Sequence, residues 1–200
     1  MFTGIVQAVG KIKALERRSG DMRLEFDAGR LPLDSIGVGD SIAVNGCCLT
    51  VIGKHAHDFA ADASCETLAL TTLGDLGVGA PVNLEASLTL ATPLGGHLVL
   101  GHVDGVGTVT NRREDARSAR FEIKTPAELG RYIARKGSVC VDGVSLTVNG
   151  VNAKGFDVNI IPHTLEHTIL KHWQAGVRVN LEVDLLARYL ERLMRPDTKP

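Results

Sequence analysis

The chain repeats itself. Residues 1–97 align, with no net insertion, on the stretch that begins about 97 positions later. Gly4 and Val6 fall on Gly101 and Val103, and Asn45-Gly46-Cys47-Cys48-Leu49-Thr50-Val51 on Asp142-Gly143-Val144-Ser145-Leu146-Thr147-Val148. Val82-Asn83-Leu84-Glu85 falls on Val179-Asn180-Leu181-Glu182. About 26 of roughly 89 paired positions are identical, several times what unrelated sequence gives. A period this long excludes a solenoid. It means two domains of one fold, residues 1–96 and 97–184, and so two similar pockets per chain.

Each half is the size of a small domain. With 44% hydrophobic and 22% charged residues the chain is ordinary globular material. The net charge of -1 and interleaved signs exclude an electrostatic footprint for nucleic acid. Aromatic residues make up 4%, too few for a base-stacking platform. No apolar run reaches the ~20 residues that span a bilayer, so no membrane contact is expected. Met1-Phe2-Thr3-Gly4 has no basic segment ahead of its apolar part, unlike a secretory signal. Cys47, Cys48, Cys65 and Cys140 show no metal-ligand spacing. The simplest reading is a reduced cytoplasmic protein.

Short β-rich runs recur at close spacing between turn residues, which predicts an all-β fold. The first half predicts strands near Ile5–Ile12, Arg23–Phe26, Ser41–Val44, Cys48–Ile52, Phe59–Asp62 and Val82–Ala86. The second predicts Val103–Val109, Arg120–Lys124, Ser138–Val141, Ser145–Val148, Phe156–Ile161 and Val179–Asp184. Six short strands must bury their edges, and closing the sheet into a barrel does that. Brief helices are expected over Glu128–Arg135, more weakly over Leu31–Ile36, and after Thr67 and Thr164 as N-caps. A turn-rich boundary lies near Thr92-Pro93-Leu94-Gly95-Gly96. Leu185–Arg195 has no counterpart in the first half. Its stripe of Leu186, Tyr189, Leu190, Leu193 and Met194 predicts a helix, packed on its own barrel or used for oligomerisation.

Cys48, Thr50, Ser145 and Thr147 alternate with Leu49 and Leu146, so the small polar side chains share one strand face. The adjacent Gly46 and Gly143 let the backbone approach a ligand closely. One such threonine is more often a plain strand residue. The same pattern in both halves points to a pocket. His55 with His57, and His163 with His167 and His172, lack a third ligand at metal spacing and read as solvated.

These segments, with Met-Phe-Thr-Gly-Ile-Val (1–6), Glu-Thr-Leu (66–68), Gly-Gly-His-Leu (95–98), Gly-His-Val (101–103), Lys-Gly (136–137) and Ile-Pro-His-Thr-Leu (161–165), resemble the α-chain riboflavin synthase family over almost the whole chain. The resemblance implies two tandem six-stranded Greek-key barrels with short helices, a C-terminal oligomerisation helix and tail over 185–200, and a homotrimer. It implies dismutation of two 6,7-dimethyl-8-ribityllumazine molecules. A four-carbon unit passes from one to the other, giving riboflavin and 5-amino-6-ribitylamino-uracil without a cofactor or metal. It also admits association with lumazine synthase. The tail is brief and ends with Pro196 and Pro200, which implies a short trimer helix.

Carried over by position, the resemblance implies a first pocket of Gly4, Ile5, Val6, Cys48, Leu49, Thr50, Asp62, Ala63, Ser64, Cys65, Glu66 and Thr67. The second pocket is Gly101, His102, Val103, Ser145, Leu146, Thr147, Asn159, Ile160, Ile161, Pro162, His163 and Thr164, with Lys136 reaching into a neighbouring subunit. Cys48, His102, Ser145, Asp184 and Phe2 are the catalytic candidates. His102 is a proton shuttle, because an imidazole titrates near neutrality, and Phe2 lies close to the reacting rings. The two substrates must behave differently. The halves differ at Ile5/His102, Gly39/Lys136, Asn45/Asp142, Cys48/Ser145 and Ser87/Asp184, and these differences are expected to divide donor from acceptor. The rival reading is a non-catalytic lumazine- or flavin-binding antenna on the same twin barrels. A flavin-reductase barrel would need a nicotinamide-binding segment, and no Gly-x-Gly-x-x-Gly turn is present.

Overall fold

The computed structural model describes residues 1–194. The first barrel comprises β1 (Ala8–Arg18), β2 (Asp21–Asp27), β3 (Ser41–Val44), β4 (Cys47–Lys54), β5 (Asp58–Ala63) and β6 (Pro81–Ala86). It closes in the order β1-β2-β5-β4-β3-β6, antiparallel throughout. The second comprises β7 (Gly105–Asp115), β8 (Ser118–Lys124), β9 (Ser138–Val141), β10 (Val144–Asn152), β11 (Gly155–Ile160) and β12 (Arg178–Val183). Its order, β10-β11-β8-β7-β12-β9, is the same ring of neighbours. Closure leaves no sheet edge to pair with another chain. The fold class is therefore as expected.

Alternation builds each barrel. In β2, Met22, Leu24 and Phe26 are buried while Asp21, Glu25 and Asp27 are exposed; in β8, Ala119, Phe121 and Ile123 take the same places. Phe26 stacks on Phe59 at 4.9 Å in the first core, and Phe121 meets Trp173 edge-on at 5.4 Å in the second. Bulges fall at matching positions, Ile12/Ala14 with Val109/Asn111 and Val51/Gly53 with Val148/Gly150. They bend the strands enough to close small barrels.

Several local expectations are corrected. β1 starts at Ala8 and β7 at Gly105, not at Ile5 and Val103, because the preceding residues leave their own barrel. Both strands run on to Arg18 and Asp115. Helix α1 (Cys65–Leu70) is capped by Ser64, whose hydroxyl accepts from the Thr67 N–H, so Thr67 sits inside the first turn. Helix α2 (Pro162–His167) starts at Pro162, since proline tolerates the first helical position, and Thr164 is again internal. The true threonine caps are Thr71 and Thr168, one turn later, over short 3-10 turns. Glu128–Arg135 yields only a 3-10 turn at Gly130–Tyr132, and Leu31–Ile36 forms no helix. Helix α3 (Leu185–Met194) has the expected apolar stripe; Arg195, Pro196 and Pro200 lie outside the described residues.

The barrels meet through reciprocal contacts. Asn83 Nδ2 donates to the Asp142 carbonyl and Asn180 Nδ2 to the Asn45 carbonyl, both at 2.8 Å. The Asn83 and Asn180 side-chain oxygens accept from the N–H groups of Ile169 and Thr72. All four of Asn45, Asn83, Asp142 and Asn180 are buried and satisfied by backbone partners, which fixes one relative orientation of the halves.

Candidate functional site

The segment before each barrel's first strand crosses to the other barrel. The Gly4 carbonyl accepts from the Ser145 N–H on β10, and the Gly101 carbonyl accepts from the Cys48 N–H on β4, both at 2.8 Å. A Cβ on Gly4 would lie 2.6 Å from Ser145 Cβ, and one on Gly101 would lie 2.6 Å from Cys48 Cβ. Only glycine permits that approach. Val6 accordingly packs against the second core and Val103 against the first. The expected grouping of pocket residues is therefore exchanged. Gly4, Ile5 and Val6 belong beside Ser145, and Gly101, His102 and Val103 beside Cys48.

Each crossing is latched by a buried carboxylate of its own barrel. Glu85 on β6 accepts from Thr3 N–H at 2.7 Å, Thr3 Oγ1 at 2.6 Å and Gly4 N–H at 3.0 Å. Glu182 on β12 accepts from Leu100 N–H at 2.7 Å and Gly101 N–H at 2.9 Å. Burial pushes both carboxyls up, Glu182 to about 7, and the backbone donors oppose that rise.

Ser145 has a second partner that the pattern of repeats does not reveal. Its Oγ lies 2.6 Å from His97 Nδ1. Burial holds the His97 imidazole below its usual value, and the Asp184 carboxylate acts in the opposite direction. His97 is thus neutral at neutral pH, a state that can accept or donate a proton. Gly96 permits the approach, since a Cβ there would lie 2.1 Å from the Thr3 carbonyl oxygen. His97 belongs to the Gly-Gly-His-Leu motif, and that motif was the available signal. The equivalent of Ser145 in the first barrel is Cys48, half-buried, with Cys47 facing the opposite side and buried. Burial drives the Cys47 thiol up to about 12, so it stays protonated.

Val51 pairs with Ala61 and Val148 with Val158, so the register brings Thr50 next to Asp62 and Thr147 next to Asn159 on the outer faces. The two faces differ. Asp62 is engaged by Arg23 through two hydrogen bonds, at 2.8 and 3.0 Å, which lowers its pKa. The matching Arg120 turns instead to Asp115 and Asp157. Asn159 Oδ1 is left buried and without a hydrogen-bond partner among the described residues. An orphaned acceptor of this kind is uncommon and suits a ligand N–H.

The remaining candidates divide clearly. Ser64, Cys65, Glu66, Ile161, Pro162 and His163 are exposed on the rims around α1 and α2, with Thr67 and Thr164 half-buried. Leu49, Ala63, Leu146 and Ile160 are buried in the cores, so only their main chains face outward. Ile5, Thr50, His102 and Thr147 are exposed, and Asp184 is half-buried. Lys136 is exposed at φ +68°, where its twin is Gly39. Phe2 is fully buried among Ala43, Val99, Cys140 and Cys48, wedged beneath Gly101. Trp173, buried in the second core, also donates from Nε1 to Asp142 at 3.1 Å. No cluster of three metal-ligating side chains occurs among the described residues. No helix among them is long and apolar enough to cross a membrane.

Cavities of about 480 and 360 Å³ open beside the Asn152–Gly155 hairpin and beside His57 and Asp58, away from Ser145 and Cys48. The candidate site is instead a pair of outward strand faces, one at Cys48 and Thr50 and one at Ser145 and Thr147.

The lumazine binding domain family matches residues 3–87 and again 100–184. The riboflavin synthase of Photobacterium phosphoreum is 45% identical over 98% of this chain and 90% of its own length. That of Mycobacterium tuberculosis is 45% identical over 98% of both chains, and that of Brucella abortus 44% over 96% and 98%. Among solved structures, LumP complexed with riboflavin superposes with a TM-score of 0.85 at 30% identity, covering 92% of this chain and 99% of that one. LumP complexed with 6,7-dimethyl-8-(1'-D-ribityl) lumazine gives 0.83 at 28% identity, with the same coverage.

Proposed function

The chain belongs to the lumazine-binding family of riboflavin synthases, and from that premise we propose that it dismutates two molecules of 6,7-dimethyl-8-ribityllumazine. The products are riboflavin and 5-amino-6-ribitylamino-uracil, and the reaction needs no cofactor. The observation that carries this reading is the chemical inequality of two otherwise duplicated grooves. One holds a serine hydroxyl 2.6 Å from a neutral histidine; the other holds a thiol at the same place.

Each lumazine lies on an outer strand face, over Cys48 and Thr50 or over Ser145 and Thr147. Exposed main-chain groups of α1 and α2 read its pyrimidine edge and ribityl hydroxyls. The lumazine over Ser145 is the one whose protons move. His97 exchanges a proton through Ser145 Oγ, with Asp184 stabilising the imidazolium. Asn159 Oδ1 accepts from a pyrimidine N–H of the same molecule. The lumazine over Cys48 lies near His102, which serves its half of the exchange. Holding both rings in fixed orientation supplies up to about 7–11 kcal/mol of the barrier reduction.

Because each groove is open, a neighbouring subunit closes it, with Lys136 reaching across. The assembly is a homotrimer joined through the exposed α3 stripe of Leu186, Tyr189, Leu190, Leu193 and Met194. Charge-introducing changes there, such as Leu193→Glu, dissociate it in sedimentation. The protein acts in the cytoplasm and meets the supplier of its substrate, lumazine synthase, there.

The deciding experiment mixes purified protein with 6,7-dimethyl-8-ribityllumazine. Riboflavin accumulating well past one equivalent per chain supports the enzyme. A stable bound lumazine without turnover overturns it in favour of a non-catalytic antenna.

A further inference from the structure

Glu85 and Glu182 lie in one barrel but govern residues that face the other. Glu182 closes on Leu100 and Gly101, whose Gly101 carbonyl bonds the Cys48 N–H, and the next two residues are His102 and Val103, with Val103 against the first core. Glu85 closes on Thr3 and Gly4, whose Gly4 carbonyl bonds the Ser145 N–H, and Ile5 and Val6 follow, with Val6 against the second core. Both carboxylates are only 3% exposed, so water does not replace these bonds. Each faces outward from its own barrel, Glu85 level with Ala43 and then Cys48, Glu182 level with Cys140 and then Ser145, so one strand separates each carboxylate from its own barrel's groove residue.

We propose that Glu85 and Glu182 are positioning residues that act crosswise: Glu182 of the second barrel sets ligand binding over Cys48 and Thr50 of the first, and Glu85 of the first sets ligand binding over Ser145 and Thr147 of the second. This deepens the lumazine-binding reading and rests on it. The physical reason is the order of covalent and non-covalent links. A carboxylate accepting two N–H groups fixes a turn far better than one neutral acceptor. The turn carries the glycine carbonyl that bonds the opposite strand, and the following residue projects over the opposite groove. Loosening the latch therefore moves a wall of the other barrel's groove and leaves the strands of its own groove in place. A third clamp acts on the Glu182 side. Asp104 accepts from Val183 N–H at 2.8 Å and from Arg188 of α3 at 2.7 Å, which ties the end of the same crossing segment back to β12. In the first barrel the corresponding place is filled by Gln7, which accepts from Ala86 N–H at 3.1 Å.

The test uses the full chain carrying Glu182→Gln, Glu85→Gln or Thr3→Val. Each glutamine puts an amide N–H against a backbone N–H; Thr3→Val keeps the shape but removes the hydroxyl bond to Glu85 and the acceptor of the Ile5 N–H. Two readouts are taken from assigned amide spectra: hydrogen exchange without ligand, and titration with riboflavin followed separately at Thr50 and Thr147. In Glu182→Gln, exchange at the Cys48 amide quickens and affinity reported at Thr50 falls about tenfold, while the Ser145 amide and the Thr147 titration stay within about twofold. Glu85→Gln and, more mildly, Thr3→Val give the reverse. Thr3→Val keeps the test intact if a glutamine variant fails to fold. Equal effects at both grooves, or an effect confined to the barrel that carries the substitution, overturn the proposal. Wild-type protein whose Thr50 and Thr147 amides ignore riboflavin would instead overturn the pocket reading, while the exchange data still report on the latches.

Discussion

Gly46 and Gly143 stand back to back at the junction of the barrels. A Cβ on Gly46 would lie 2.7 Å from Gly143 N, and a Cβ on Gly143 would lie 2.8 Å from Gly46 N. Both have positive φ, +77° and +79°. The flanking Asn45 and Asp142 carbonyls are the acceptors for Asn180 and Asn83, so this contact sets the spacing at which the reciprocal bonds form.

Gly46→Ala therefore meets a backbone atom that cannot yield, as well as an unfavourable φ. It should lower stability in urea unfolding by about 2–4 kcal/mol. Gly79→Ala is the control. It has φ +86° with nothing within 4 Å of the new Cβ, and should cost only about 1 kcal/mol.

Asp142 gives the protein a pH dependence. Burial raises its pKa to about 7, with the Asn180 N–H and Trp173 bonds opposing, and Glu182 also lies at about 7. The native state then holds protons that the unfolded state releases between about pH 4 and 7. That stability is fully present below the unfolded pKa and is lost as pH rises through 7. Each group contributes a slope of up to about 1.4 kcal/mol per pH unit. Urea midpoints measured from pH 5 to pH 8 should fall. Asp142→Asn should lower stability at pH 5 through the lost Trp173 bond and roughly halve the slope.

Ser145 and His97 should behave as one unit. Either alanine substitution is expected to lower the rate of flavin formation about 10²–10⁴-fold, with ligand affinity changed little. The double variant should be no slower than the worse single variant, because the second change removes a group that has already lost its partner. In the wild type, the acid limb of the rate profile attributable to His97 should lie below the ordinary histidine range, as burial requires.

Asn159→Ala removes a buried acceptor that has no hydrogen-bond partner among the described residues. Apo stability should hold or rise by up to about 1 kcal/mol, since a desolvated polar group disappears. Calorimetric stoichiometry with riboflavin should drop towards one per chain at concentrations that fill both wild-type grooves.

Sequence alone determined a great deal here. The repeat dictated two like domains, and alternation in stretches such as Arg23-Leu24-Glu25-Phe26 dictated which faces are buried, because strand geometry is local. Cys48, Thr50, Ser145 and Thr147 were legible for the same reason. Helix starts were less so, because threonine caps and internal threonines look alike until the backbone turns. Tertiary structure alone decided which barrel each glycine segment serves. A repeat says that Gly4 resembles Gly101, but both strand partners, Ser145 and Cys48, offer the same N–H, and nothing in the spacing favours the near copy over the far one. Closing each barrel and docking the two through Asn45, Asn83, Asp142 and Asn180 made the far partner the one in reach. That same docking brought His97 onto Ser145.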